Sequence, residues 1–170
     1  MKTLKNLVLV LLVSLAVTAC SKKDDDGGDG GTAGSGEVTA KVDGSSFSSL
    51  EIASTASISS GGNTVVTLQG SDASGKGIII IINPFDGVGT YEIGDSSVFT
   101  LATYVEANAS NPQNSQTWSA PYEDSGVVGE INVSEKTDTN IKGTFNFKAK
   151  NVNGDQSIKN ITNGSFNLSF

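Results

Sequence analysis

The chain has 170 residues, enough for one folded domain, and sets eleven Lys against eighteen Asp and Glu with no His and no Arg. A net charge of −7 without clustered basic side chains argues against nucleic acid and against an anionic membrane surface as partners. A single Cys excludes an intrachain disulfide, and the missing His removes Ser–His, Cys–His and HExxH chemistry.

The first twenty residues read MKTLKNLVLVLLVSLAVTAC. Lys2 and Lys5 make a basic n-region, and residues 7–17 an apolar stretch of eleven, where a bilayer span needs about twenty. Val17-Thr18-Ala19-Cys20 reads as a bacterial lipobox. Residues 1–19 are therefore expected to be a lipoprotein signal peptide, with Cys20 the lipidated first residue of the mature chain. The alternative is an ordinary signal peptide with an incidental Cys. Acyl chains contribute ~0.8 kcal/mol per buried CH₂, so a triacylated Cys20 exceeds the two signals that stable anchoring needs. Without Lys2 and Lys5, the mature chain keeps nine Lys against the same eighteen acids.

Residues 20–36 carry the Cys and a Gly-rich acidic run, SKKDDDGGDGGTAGSG, too poor in apolar side chains to order itself. It is expected to be a flexible tether reaching roughly 20–25 Å. Lys22, Lys23, Asp24, Asp25 and Asp26 resemble the export signal that follows the lipidated Cys in Bacteroidota-type surface lipoproteins. A solvated acidic spacer is the alternative. An EF-hand started at Asp26 fails, because Gly28 and Gly30 would fill two ligand positions, so no metal site is expected.

Residues 37–170 alternate apolar and polar with turn residues at short intervals. Residues 38–42 read as a strand ending in the hairpin turn Asp43-Gly44. The Ser-rich stretch 45–60 is expected to add one irregular strand around Phe47, Leu50 and Ile52. Residues 63–69 read as the next strand, followed by GSDASGKG, one letter short of a phosphate-binding P-loop. A P-loop opens a helix, whereas here five Ile follow at 78–82 and stop at Asn83-Pro84. GSDASGKG is therefore expected to be a hairpin loop with no nucleotide, and 78–82 a strand buried on both faces. Residues 98–106 read as another strand, and 110–126 as a long loop.

The last third is the clearest. Val127, Gly129, Ile131 and Val133 share one face, as do Ile141, Gly143, Phe145, Phe147 and Ala149 on the next strand. Turns fall at KTDTN and Asn153-Gly154, and a final strand carries Phe166, Leu168 and Phe170 on one face, with a bulge expected near Asn163-Gly164. The expected fold is all-β: one antiparallel β-sandwich or small β-barrel of about eight to ten strands ending in a three-stranded meander. Aromatics at 6% are too sparse for the girdles of a transmembrane barrel.

Chemistry is thin. No Lys follows a Ser at the Ser-x-x-Lys spacing, and the Asp residues fall in expected turns, with Glu130 on an outer face. No enzyme activity and no cofactor are expected. Trp118 and Tyr122, with Tyr104 nearby, stand beside Asn, Gln and Asp in the 110–126 segment and could stack on a sugar. They could equally plug one end of the core.

The pieces TAKVDGSSFSS, GTYEIG and GEINVSEKTDTNIKGTFNFKAKNVNGDQSIKNITNGSFNLSF resemble small lipoproteins of Bacteroidota type that carry a domain of unknown function. The resemblance spans residues 38–170 and implies a β-domain anchored to the outer membrane, with no site residues to carry over. The expected function is a non-enzymatic interaction or adhesion module, lipid-anchored in the outer membrane and facing the exterior. The alternatives are a glycan or small-ligand binder, or a periplasm-facing inhibitor of an envelope enzyme. The partners expected are the membrane, through the lipid, and a glycan or protein.

Overall fold

The computed structural model describes residues 32–96 and 99–170. The expected signal peptide, Cys20 and the run Lys22, Lys23, Asp24, Asp25 and Asp26 lie outside the described residues. In chain order the strands are β1 (Glu37–Val42), β2 (Ser45–Ser48), β3 (Ser54–Ser60), β4 (Thr64–Ser71), β5 (Lys76–Ile82) and β6 (Gly89–Gly94). They continue with β7 (Leu101–Glu106), β8 (Gln116–Ala120), β9 (Val127–Lys136), β10 (Asn140–Lys150) and β11 (Ile158–Ser169). The helical content among the described residues is two single 3-10 turns, Glu51–Ala53 and Pro112–Asn114.

The fold is all-β and antiparallel. One sheet runs β2-β1-β11-β10-β8-β7-β5-β4-β3 and curls into a half-barrel. It forks at β10. Residues Ile141 to Phe147 of that strand pair with β9, which in turn pairs with β6, while Lys150 at its far end pairs with Ser119 of β8. The buried side chains form a single core that includes Val38, Leu68, Ile80, Ile131, Phe145 and Phe166. Strand alternation fills it. In β10 every second side chain from Ile141 to Ala149 is buried, while Thr144, Asn146 and Lys148 face water.

The hairpin turns follow their expected chemistry. Asp43 and Gly44 both take positive φ, 49° and 84°, which is the backbone that joins two right-twisted strands through two residues. GSDASGKG links β4 to β5 without a helix, and the Asp72 carboxylate accepts from the backbone N–H of Ser74 and of Lys76. The bulge expected near Asn163-Gly164 is present. Phe145 pairs with Gly164 but Phe147 pairs with Ile161, and Asn163 sits at φ 51°.

Several expectations are corrected. Eleven strands are found rather than eight to ten. The stretch 45–60 holds two strands, because the 3-10 turn at Glu51–Ala53 breaks it and leaves Ile52 95% exposed. The isoleucine run is buried on one face. Ile78, Ile80 and Ile82 point into the core, whereas Ile79 and Ile81 are half-buried because that limb's outer face is uncovered. Val127 is exposed and Val128 packs on the core, since a register shift between Ile93 and Gly94 inverts the start of β9. Strand β7 starts at Leu101 rather than 98, and the segment 110–126 contains β8 instead of forming one loop.

Candidate functional site

The outward face of β6, β9, β10 and β11 presents two rows of polar side chains. Pairing places Glu92, Glu130 and Asn146 in one row, and Thr90, Asn132, Thr144 and Ser165 in the next. Residues 32–36 close one side, where the Ala33 N–H donates to Ser165 Oγ at 2.8 Å and the Gly36 N–H to the Asn167 carbonyl at 2.7 Å. On the other side stands the turn that carries Tyr122 and Ser125, in which the Gly126 N–H donates to Asp95 Oδ2 at 3.0 Å. Two depressions of about 540 and 450 Å³ lie between these borders. Both are lined by Glu130 and Asn146, so the two adjoin and together mark a groove along this face.

Glu92 and Glu130 are directly opposed across the ladder, a placement in which like charges repel and cost stability. Asn146 Nδ2 donates to Glu130 Oε1 at 3.3 Å, and Glu92 has no side-chain partner among the described residues. Lys142 is held by Glu135 at 3.2 Å near one end of the groove. Lys148 lines the other end beside Tyr122, and the Lys150 ammonium lies 5.7 Å from the Tyr122 ring centroid. Both Glu92 and Glu130 are exposed to water.

Trp118 and Tyr122 are separated by the fold. Trp118 points inward from β8, its Nε1–H donating to Ser157 Oγ at 2.9 Å and its ring 5.7 Å from that of Tyr104. The Lys159 ammonium sits 5.2 Å from the Trp118 ring centroid, so the indole is covered on more than one side. Tyr104 is buried in β7 and donates to Glu106 Oε1 at 2.9 Å, and burial together with Glu106 holds its phenol above the ordinary range. Tyr122 alone reaches the groove. Glu92, Glu130 and Asn146 escaped the sequence reading as a group. Alternation marks Glu130 and Asn146 as outward, but the pairing of β6 with β9 brings together residues far apart in the chain.

Away from the groove, charges compensate one another. Asp43 Oδ2 lies 3.1 Å from Lys159 Nζ, and Asp43 Oδ1 accepts the Asn160 N–H at 2.9 Å. That backbone donor above all, and then Lys159, hold the Asp43 carboxyl below its usual 3.8 against the opposing effect of burial. Burial raises Asp72, but the N–H groups of Lys76 and Ser74 and the Ser74 hydroxyl outweigh it and lower that carboxyl too. A depressed folded-state value stabilises above the unfolded-chain value, about pH 4, and the contribution disappears as pH falls through the folded value. Asp43→Asn is therefore expected to flatten the loss of stability between pH 5 and pH 2, read as the urea midpoint at each pH. An acid limb as steep as that of the parent chain contradicts this assignment.

Among the described residues, no group of three or more Asp, Glu, Cys or His is placed to hold a metal ion. A family model described as Domain of unknown function (DUF6252) matches residues 35–168. The chain belongs to that family. No curated protein and no solved structure matches the chain. The DUF6252 match takes in the strands that floor the groove together with Tyr122, Glu130 and Asn146, while Cys20 and the acidic run precede it.

Proposed function

We propose that the chain is an outer-membrane lipoprotein, acylated at Cys20, that displays its DUF6252 domain on the cell exterior as a non-enzymatic interaction module. The observation that carries the binding role is the open polar groove across β6, β9, β10 and β11. Its opposed carboxylates, Glu92 and Glu130, are both exposed, an environment that suits hydrogen bonding to a partner. A general acid needs a carboxyl kept protonated by burial or by a close like charge in a water-excluded site. The lipobox Val17-Thr18-Ala19-Cys20 and the acidic run after it support the anchoring role. Thr32, the first described residue, lies twelve positions beyond Cys20. Even a fully extended chain of that length keeps the domain within about 40 Å of the lipid.

Two measurements test this. Cys20→Ala is expected to abolish incorporation of a clickable palmitate analogue, and retained labelling contradicts acylation at Cys20. Protease shaving of intact cells, following an epitope placed after Phe170, is expected to remove the epitope while a periplasmic lipoprotein survives. Survival of the epitope until the envelope is permeabilised overturns exterior display. That result favours the domain acting inward, on an envelope enzyme.

A further inference from the structure

We infer that the groove over β9 and β10 binds a segment of neutral polysaccharide, with Glu130 and Asn146 at its centre and Tyr122 at one end. This deepens the proposed interaction role and rests on it for the groove's exposure to material outside the cell. The size suits a ligand, since ordinary ligand pockets span about 300–1,000 Å³ and the two adjoining depressions measure about 540 and 450 Å³.

The chemistry fits a polyol. A sugar hydroxyl both donates and accepts, so its recognition calls for acceptors and donors side by side. Here Glu92 and Glu130 accept, Lys148 donates, and Asn146 and Thr144 do both. Much of that capacity is unused: Glu92, Thr144 and Lys148 have no side-chain hydrogen bond among the described residues, and Asn146 makes one. An array of this kind, held on a rigid ladder rather than on a loop, is already organised before a ligand arrives.

The charge balance disfavours an anionic occupant. Glu92 and Glu130 share the groove with Lys148, while Lys142 is already paired with Glu135, on a chain whose net charge is −7. An anionic polymer meets the surrounding negative field. Tyr122 lines the same end as Lys148, and an aromatic ring next to hydrogen-bonding groups supplies apolar contact for a pyranose.

The test uses the mature chain with Cys20→Ser, so that it remains in solution, in affinity electrophoresis and calorimetry. The probes are cellulose, laminarin, xylan, mannan and chitin oligomers, with polygalacturonate and heparin as charged comparisons. At least one neutral polymer is expected to bind, and Asn146→Ala and Tyr122→Ala are each expected to weaken that binding at least tenfold. Glu130→Gln is expected to weaken it less, because the amide keeps an acceptor. All three positions are solvent-facing or half-buried, so their urea midpoints should match the parent's and separate lost binding from lost folding. No binding to any neutral polymer, binding untouched by Asn146→Ala and Tyr122→Ala, or a preference for the charged polymers overturns the inference. So does binding that appears only when residues 21–31 are deleted, since the groove then belongs to the chain's own segment next to Thr32. Shaving of intact cells reads surface display independently, so a failed glycan test leaves that reading standing.

Discussion

Gly143→Ala is expected to destabilise the domain by about 3 kcal/mol, the upper end of the range for overpacking a filled core, and to lower its melting temperature by roughly 10 °C. Gly143 lies inward on β10, between β9 and β11. A Cβ added there would collide with the backbone carbonyl oxygen of Asn132 and would come within 2.5 Å of Phe166 Cζ. Neither neighbour can yield cheaply. Asn132 is fixed in the ladder opposite Thr144, and the Phe166 ring is 1% exposed and stacked 6.4 Å from Phe145. Gly44→Ala is the appropriate comparison. At φ 84° with nothing within 4 Å of the added Cβ, it carries backbone strain alone, worth about 1–2 kcal/mol. Calorimetry of the two variants should rank Gly143→Ala as the more damaging, and equal or reversed losses contradict the packing described for β10.

Phe166→Ala is expected to cost more, about 3–5 kcal/mol, because it removes transfer free energy and leaves a cavity that the sheet cannot collapse to fill. The ring stacks on Phe145, and its Cζ and Cε1 atoms approach Gly143. The urea midpoint should fall with the slope unchanged. A loss below about 1 kcal/mol would mean that the meander does not enclose this side chain as the structure has it. The two positions should also be coupled. Phe166→Leu relieves only some of the strain in Gly143→Ala, since the Asn132 carbonyl remains in place, so the double variant should be more stable than additivity predicts yet below the single Phe166→Leu.

What could be read from the sequence divides along sequence distance. The meander of β9, β10 and β11 was legible because its hairpins are short and Ile141 to Ala149 alternate without error. The turn at Asp43-Gly44 announced its own geometry, and the β-branched run after GSDASGKG ruled out a helix there. Illegible were features set by partners distant in the chain. Ile79 and Ile81 carry the same side chain as Ile80, and only the uncovered outer face of their limb distinguishes them. Strand β8 is five residues long and embedded among Asn, Gln, Ser and Pro, so the inward turn of Trp118 left no periodic trace. The site followed the same rule. Tyr122 stood out by its chemistry, whereas Glu92, Glu130 and Asn146 become neighbours through a register that links β6 to β9 and β9 to β10.

The position of β1 has a mechanical consequence. This strand is hydrogen-bonded along both edges, to β2 on one side and to β11 on the other, and residues upstream of Gly36 join the domain at its first position. A pull on the upstream chain along the strand axis loads the β1–β11 ladder in shear, so several bonds must stretch at once. If the opposing force is applied in the groove, the load path is short, passing from β1 through β11 to β10. The limb of β8, β7, β5, β4 and β3 stays outside that path. A force acting between the upstream chain and the polar face would thus pass through three adjacent strands, β1, β11 and β10.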